Sequence, residues 1–156
     1  MVAFIQEPLR EWLTRLEAEV DALDPENSDS QSYFAEATTD LTTASSSLSD
    51  MTGVTLSPVL NTGDILIVHW SVAAFNSTGV VIVNLLINGV NVQGGSTPTN
   101  GSGVVSGVFR ISGLAAGARV CKLQWRTGGT GTATCSAGTD ANNIHHANIL
   151  VERVRT

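Results

Sequence analysis

The sequence predicts a mainly β protein: a single antiparallel jelly-roll sandwich of about eight strands, preceded by an N-terminal amphipathic helix. Charge changes abruptly near residue 36. The first 36 residues hold nine of the fourteen acidic residues and two of the eight basic ones, a net charge of −7, whereas the remaining 120 carry +1. Apolar residues recur at helical spacing before this break and alternate with polar residues after it. Glycine, asparagine and serine interrupt the second part at short intervals, as β-turns require.

These shifts in composition divide the 156-residue chain into three parts. Residues 1–24 form a helical arm, residues 25–36 a polar linker, and residues 37–156 a β domain. A β region of this length can bury a core of its own. We therefore expect one folded domain with an appendage.

The arm carries an approximate heptad seam, because its apolar residues follow one another at intervals of three or four. Pro8 falls in the first helical turn, where a missing N–H is tolerated, and Asp24-Pro25 ends the run. The spacing predicts a helix from about Glu7 to Leu23. Its seam consists of Ile5, Leu9, Leu13, Leu16, Val20 and Leu23.

Two destinations are open for this apolar seam. The helix could fold back on its own β domain, or it could bind another subunit or a different surface. The polar stretch Asp24 to Ser32 offers nothing to dock the connection, which favours the second destination. Trp12 widens the apolar face, as suits packing against a larger body. The predicted residues of oligomerisation or attachment are thus Ile5, Leu9, Trp12, Leu13, Leu16, Val20 and Leu23.

Alternation and turn signals predict nine candidate strands after the linker. Asn88-Gly89 between apolar runs predicts a two-residue hairpin, because both central positions of a type I′ turn need positive φ. Long polar loops are expected at Gly94 to Gly103 and Ala137 to Asn143. The candidates are Tyr33 to Thr38, Val54 to Val59, Asp64 to Phe75, Val80 to Ile87, Val90 to Gln93, Val104 to Ile111, Arg119 to Thr127, Thr132 to Ser136 and Ala147 to Val154.

The pleat of one stretch predicts inward-facing residues. Cys121, Leu123 and Trp125 share one face of their strand. A turn through Gly128 to Gly131 would bring Cys135 to the same face, and with no secretion signal we expect buried free thiols there in preference to a disulfide. The predicted β core includes Trp70, Leu123, Trp125, Cys121 and Cys135.

The candidate catalytic and metal-binding residues are not predicted to form a common site. His145-His146 lies near Asp140, but neighbours in an extended strand point to opposite faces, so a shared metal ion is not expected. His69 shares a strand face with Ile65 and Ile67, so we expect it to be a packed strand residue and not a catalytic one. No Gly-x-Ser-x-Gly elbow or phosphate-binding loop occurs. We expect neither an enzyme nor a protein with a cofactor.

Charge and hydropathy exclude two classes of partner. There is no cluster of basic residues for nucleic-acid phosphates and no run of about 20 apolar residues for a membrane span. Met1 to Ile5 is apolar but Glu7, Arg10 and Glu11 follow at once, so no signal peptide is predicted. Only 14% of residues are charged, which suits either subunit contact or a location outside a cell.

The β region carries Leu86-Ile87-Asn88-Gly89-Val90, then Ile111-Ser112-Gly113-Leu114 and Lys122-Leu123-Gln124-Trp125. In the order of these motifs it resembles small jelly-roll modules of bacteriophage virion proteins. The similarity covers most of residues 38 to 154. Their closing half is similar to the run from Ile111-Ser112-Gly113-Leu114 through Lys122-Leu123-Gln124-Trp125, followed by His145-His146 and Ile149-Leu150-Val151-Glu152. Their first half resembles Thr42 to Thr55 and Leu86-Ile87-Asn88-Gly89-Val90.

This resemblance implies a trimeric fold like that of tumour necrosis factor, found in capsid decoration proteins, head fibres and tail appendages. It implies a structural virion protein, most simply a homotrimeric capsid decoration or head-fibre protein attached through its arm. Its partners would be other copies of itself and the major capsid protein or another virion protein, and its location the virion. The alternative is a tail-fibre or receptor-binding module that recognises a host cell-surface glycan.

Overall fold

The computed structural model describes residues 30–136 and 147–155, and every regular element in these ranges is a β-strand. The predicted N-terminal helix lies outside the described residues. The strands are β1 (Ser30–Glu36), β2 (Leu41–Thr43), β3 (Ser49–Leu56), β4 (Val59–Leu60), β5 (Ile65–Asn76), β6 (Gly79–Ile87), β7 (Val90–Ser96), β8 (Gly101–Ile111), β9 (Gly117–Ala118), β10 (Cys121–Gly129), β11 (Ala133–Cys135) and β12 (Ala147–Val154).

Strand β5 organises a six-stranded sheet. It pairs with β8 along one side, from Leu66 opposite Ile111 to Asn76 opposite Gly101. Two strands share its other side: β12 pairs with the first part of β5, and β11 pairs with its end. Strand β1 lies beyond β12, and β2 lies beyond β11.

A four-stranded sheet, ordered β3-β10-β6-β7, faces this six-stranded sheet, and β4 with β9 forms a separate two-stranded ribbon. Among the strands from β2 to β12, every pair of hydrogen-bonded neighbours is antiparallel. The described part of the chain is therefore an all-β antiparallel sandwich, as the alternation of the sequence predicted.

The core lies between the two sheets because alternate residues of each strand point inward. On β5 the inward set includes Leu66, Val68 and Val72, all fully buried. The central strands of the facing sheet supply Val83 and Leu85. The residues assigned to the β core from the sequence are also buried in this cluster: Trp70, Cys121, Leu123, Trp125 and Cys135.

The Asn88-Gly89 hairpin is confirmed. Both residues have positive φ, 51° at Asn88 and 80° at Gly89, as a type I′ turn requires. The Asn88 side chain also accepts a hydrogen bond from Val120 N at 2.9 Å, which ties the hairpin to the start of β10.

Strands β1 and β12 run in opposite directions. The segment after β1 meets the start of β12, where Ala37 N donates to Ala147 O at 2.9 Å. Because the two strands lie side by side, β1 starts beside the end of β12. That end is also where β5 begins, since Val154 pairs with Ile65.

The predicted loop at Gly94 to Gly103 is shorter in the structure, because β7 extends to Ser96 and β8 begins at Gly101. The glycines here allow close packing in place of a turn. A Cβ on Gly95 would lie 2.6 Å from Val105 Cγ1, and one on Gly103 would lie 2.5 Å from Pro98 Cδ. Glycine in a strand marks such close approach as well as loops, and composition does not separate the two.

The expected hairpin between the two cysteine-bearing strands does not form. Cys121 lies on β10 in the four-stranded sheet, whereas Cys135 lies on β11, which pairs with β5 and β2. Gly129 and Gly131, with φ of 129° and 94°, flank the point where the chain passes from one sheet to the other. Strand β1 also occupies Ser30–Glu36, which composition had placed in the linker, and the compact β unit begins at Gln31.

Gly107 leaves room for a side-chain hydrogen bond between the two sheets. Trp70 Nε1 donates to Gln93 Oε1 at 2.8 Å, and a Cβ on Gly107 would lie 2.5 Å from that oxygen and 2.9 Å from that nitrogen. We expect Gly107→Ala to lower the free energy of unfolding by about 1–3 kcal/mol through overpacking, measured by urea denaturation.

Gly101→Ala is the matched control, because it lies on the same strand and a Cβ there would meet nothing within 4 Å. It should leave the unfolding free energy within about 1 kcal/mol of the original. Equal losses from the two substitutions would contradict this account of Gly107.

Candidate assembly surface

The predicted attachment residues of the arm lie outside the described residues, and so do His145, His146 and Asp140. The structure therefore leaves the arm as a prediction from sequence. It does define the surfaces that the β unit offers to a partner.

The six-stranded sheet presents a second side chain row to the outside, opposite the core. Strand alternation fixes its members: residues one position away from each buried residue point outward. We call this surface the outer face. Its members on the four strands β1, β12, β5 and β8 include Phe34; Asn148, Leu150, Glu152 and Val154; Ile65, Ile67, His69, Ser71 and Phe75; and Ser102, Val104, Ser106, Val108 and Arg110.

The outer face is unusually apolar for a surface. Of the eight exposed large hydrophobic residues in the described ranges, four belong to it: Phe34, Phe75, Val104 and Val108. Val104 is 66% exposed and Val108 58%. Ile65, Ile67 and Leu150 add half-buried apolar surface beside Val108, and a polar row through Ser71 and Ser106 separates this group from Val104 and Phe75. Exposed apolar patches of this kind mark interaction sites.

One ion pair interrupts the apolar surface. His69 Nε2 lies 3.1 Å from Glu152 Oε2, with the two side chains 42% and 38% exposed. The residues sit on adjacent strands at a diagonal, since His69 pairs with Leu150 and Glu152 with Ile67. His69 thus points to the same side as Ile67, as the sequence predicted, and stands among apolar neighbours.

The opposite surface of the sandwich has a different character. On the four-stranded sheet, Lys122 Nζ donates to Asp50 Oδ2 at 2.8 Å and Gln124 Nε2 to Asp50 Oδ1 at 2.6 Å. These two bonds lower the pKa of the Asp50 carboxyl below its usual value. Val80 and Ile82 on this side are partly covered. A network of solvated charges suits a surface that faces water.

A smaller apolar group lies at one end of the sandwich. Val59, Val90 and Val120 are 55%, 63% and 39% exposed. Backbone contacts hold them close, because Val59 pairs with Ala118 and Asn88 N donates to Val120 O at 2.8 Å. This group is less extensive than the outer face.

Buried Asp64 braces the same end. Asp64 Oδ2 accepts a hydrogen bond from Asn61 N at 2.7 Å and lies 3.4 Å from Arg153 Nε. Arg153 also donates from Nη1 to Val59 O at 3.0 Å. The arginine therefore joins the end of β12 to β4 and to the loop before β5, and among the described residues its Nε and the Asp64 Oδ1 have no hydrogen-bond partner.

The described residues contain no cluster of three or more histidine, cysteine or acidic side chains that could hold a metal ion. Among the same residues, no helix is long and apolar enough to cross a membrane. Cys121 and Cys135 are buried free thiols, and burial raises the pKa of each to about 11. A protonated, covered thiol is a poor nucleophile.

The surface that sequence reasoning missed is the outer face. Its signal was present in the Ile65-Leu66-Ile67-Val68 run, which is apolar at consecutive positions. Such runs are typical of strands that are covered on both faces. Alternation in a sequence predicts one buried face of a strand. The second apolar row can be assigned to a surface only when the neighbouring strands are known.

No family model matches the chain, and no curated protein matches it. Solved structures give weak likenesses. Dimeric latent PorU from Porphyromonas gingivalis has a TM-score of 0.49 at 11% identity, covering 81% of this chain and 13% of that one. The CBM36-1 domain of a multidomain xylanase from the hindgut metagenome of Trinervitermes trinervoides has 0.35 at 11% identity, covering 81% and 98%.

A third likeness is to the structure of infectious bursal disease virus Gt strain. Its TM-score is 0.39 at 18% identity, and the match covers 81% of this chain and 38% of that one. At such scores and identities the three likenesses carry no functional argument. The surface geometry and the sequence remain the basis for a proposal.

We expect both cysteines to resist modification in the folded protein. At about pH 8 a thiol with a pKa near 11 is almost entirely protonated, and both side chains are buried. Iodoacetamide labelling followed by mass spectrometry should find both unmodified in buffer and both alkylated in urea. Labelling of either in buffer at its rate in urea would contradict the placement.

Proposed function

We propose that this protein is a structural virion protein of a bacteriophage: a homotrimeric capsid decoration or head-fibre protein attached through its N-terminal arm. The observation that carries the proposal is the apolar outer face of the six-stranded sheet. The resemblance of residues 38 to 154 to phage virion modules supports the setting. The proposal assigns no catalytic activity, and its partners are other copies of the chain and the major capsid protein or another virion protein.

The outer face is large enough to form the greater part of a subunit contact. Four strands about 4.8 Å apart, with seven to twelve residues each at about 3.4 Å per residue, give a surface of roughly 600 Å². A stable interface buries about 800 Å² per partner, so this face supplies most of that area. Exposed edges and turns around it can supply the rest.

Charge supports the same assignment. Beside Ile67 the face carries charges of both signs, Glu152 on one neighbouring strand and Arg110 on the other, so a second copy does not meet a surface of one sign. Apolar burial then drives association, at about 25 cal/mol for each Å² removed from water before the costs of association are subtracted. The polar surface around Asp50 and Lys122 would remain outside the assembly.

The arm gives the attachment its mechanism. Residues 1–24 contain a seam of leucine, isoleucine and valine that needs a partner surface, since isolated helices of this length are marginal in water. Burying one such leucine contributes about 2 kcal/mol. Three arms on one trimer bind together, so that individually weak contacts add up to firm attachment.

The receptor-binding alternative relied on long polar loops as glycan-binding sites. One of them, Gly94 to Gly103, contains only residues 97–100 between β7 and β8. This shortening favours the structural proposal. Specific retention of the full chain on a glycan array would instead support the alternative.

Substitution of the outer face tests the subunit contact. Val104→Asp combined with Val108→Asp places two charges on the most exposed apolar positions of β8 and should raise the trimer dissociation constant at least about 100-fold. Sedimentation equilibrium measures this, and thermal unfolding checks that the variant is folded.

Val90→Asp is the control, because Val90 is 63% exposed but lies at the hairpin end, away from the outer face. It should sediment as the unchanged protein does. A chain that sediments as a monomer at every concentration, or an outer-face variant that assembles normally, would overturn the proposed trimer.

Substitution of the seam tests attachment. Leu13→Glu with Leu16→Glu removes two central apolar side chains and should abolish cosedimentation of the full chain with capsids of its phage. Thr14→Glu adds a charge off the seam and should leave binding within about twofold, since exposed substitutions have small effects. Normal capsid binding by the seam variant would refute anchoring by the arm.

A further inference from the structure

The His69–Glu152 pair lies within the face assigned above to subunit contact. Ile67, Leu150 and Val108 lie beside the pair on the outer face, and Arg110 lies across Ile67 from Glu152. An ion pair that loses water on assembly is costly unless its remaining hydrogen-bonding groups find partners. The arrangement of those groups therefore indicates what the partner must present.

The pair has one unused nitrogen and one unused oxygen. His69 Nε2 and Glu152 Oε2 face each other at 3.1 Å, and with an ionised carboxylate the imidazole must donate through Nε2. Within residues 30–136 and 147–155, neither His69 Nδ1 nor Glu152 Oε1 has a hydrogen-bond partner. With His69 protonated, the pair offers one N–H donor and one carboxylate acceptor.

Such a pair is self-complementary. A second copy brings the same donor and the same acceptor, so each pair can satisfy the next. In a trimer the three pairs can meet at the threefold axis, where His69 of each copy faces Glu152 of the next copy around the ring. The required partner chemistry is thus that of another copy of this chain.

Resting on the proposed trimer, we propose that His69 and Glu152 form the polar contact by which neighbouring copies recognise each other. Protonated His69 donates from Nε2 to Glu152 of its own chain and from Nδ1 to Glu152 of the partner subunit. The surrounding apolar residues provide the affinity, and the charged contact fixes the orientation of the two faces.

This contact makes assembly dependent on pH. Two donors require the imidazolium, so assembly stabilises the protonated form of His69 and is favoured at acidic pH. As pH rises the imidazole loses its second N–H, Nδ1 becomes an acceptor facing a carboxylate, and the contact weakens. Arg110 on β8 and Glu36 on β1 are the other charged groups on the described outer face, and both Arg110 and Glu152 flank Ile67.

Sedimentation equilibrium of the full chain tests the proposal. Between about pH 5.5 and about pH 8.5 the trimer dissociation constant should rise at least about tenfold. Glu152→Gln and His69→Gln should each assemble more weakly at the acidic pH and lose this dependence. His145 and His146 are retained in both variants, so loss of the pH response identifies the His69 contact.

Asp50→Asn is the matched control, because it breaks the corresponding ion pair, with Lys122, on the other sheet. It should keep the pH response of the unchanged protein. A trimer whose dissociation constant does not change with pH, or a Glu152→Gln variant with an undiminished response, overturns this inference and leaves the proposed trimer standing. A chain that does not self-associate at the acidic pH or at the alkaline pH would overturn the proposed trimer itself.

Discussion

The rest of the structure depends on the pairing of strand β5, whose twelve residues join three neighbours into one sheet. Its alternation sends Leu66, Val68 and Trp70 into the core and leaves Ile65, Ile67 and His69 outside. A slip of one residue in this register would exchange the two sets. Core and outer face are thus determined together, and neither could change register without the other.

The two surfaces of the sandwich are built on opposite principles. Around Asp50, short hydrogen bonds from Lys122 and Gln124 satisfy the carboxylate where it stands. On the outer face, apolar side chains alternate with serines, and within the part of the chain that the structure describes the His69–Glu152 pair makes no further hydrogen bond. A surface satisfied within one chain suits exposure to water, whereas an apolar surface with free polar atoms suits association.

Sequence patterning anticipated the all-β sandwich, most strand positions and the Asn88-Gly89 hairpin, because alternation and turn preferences act over a few residues. It did not anticipate β2, which has three residues, or the extension of β7 and β8 through Gly95 and Gly103. Those features depend on contacts distant in sequence. The separation of Cys121 from Cys135 has the same origin, since strands adjacent in the chain entered different sheets. The outer face became recognisable only from the register that joins β5, β8 and β12.

The Ala37–Ala147 hydrogen bond determines at which end of the β unit the chain enters and leaves. Because it fixes where β1 ends and β12 begins, the strand that opens the unit and the strand that closes it both have their outer termini at the Ile65 end of β5. The Asn76–Gly79 turn lies at the other end. A peptide fused after residue 155 would leave from the side on which β1 starts, whereas one inserted in the Asn76–Gly79 turn would project from the opposite side. Two labels placed in this way would report which end of the domain points outward from any surface that holds it.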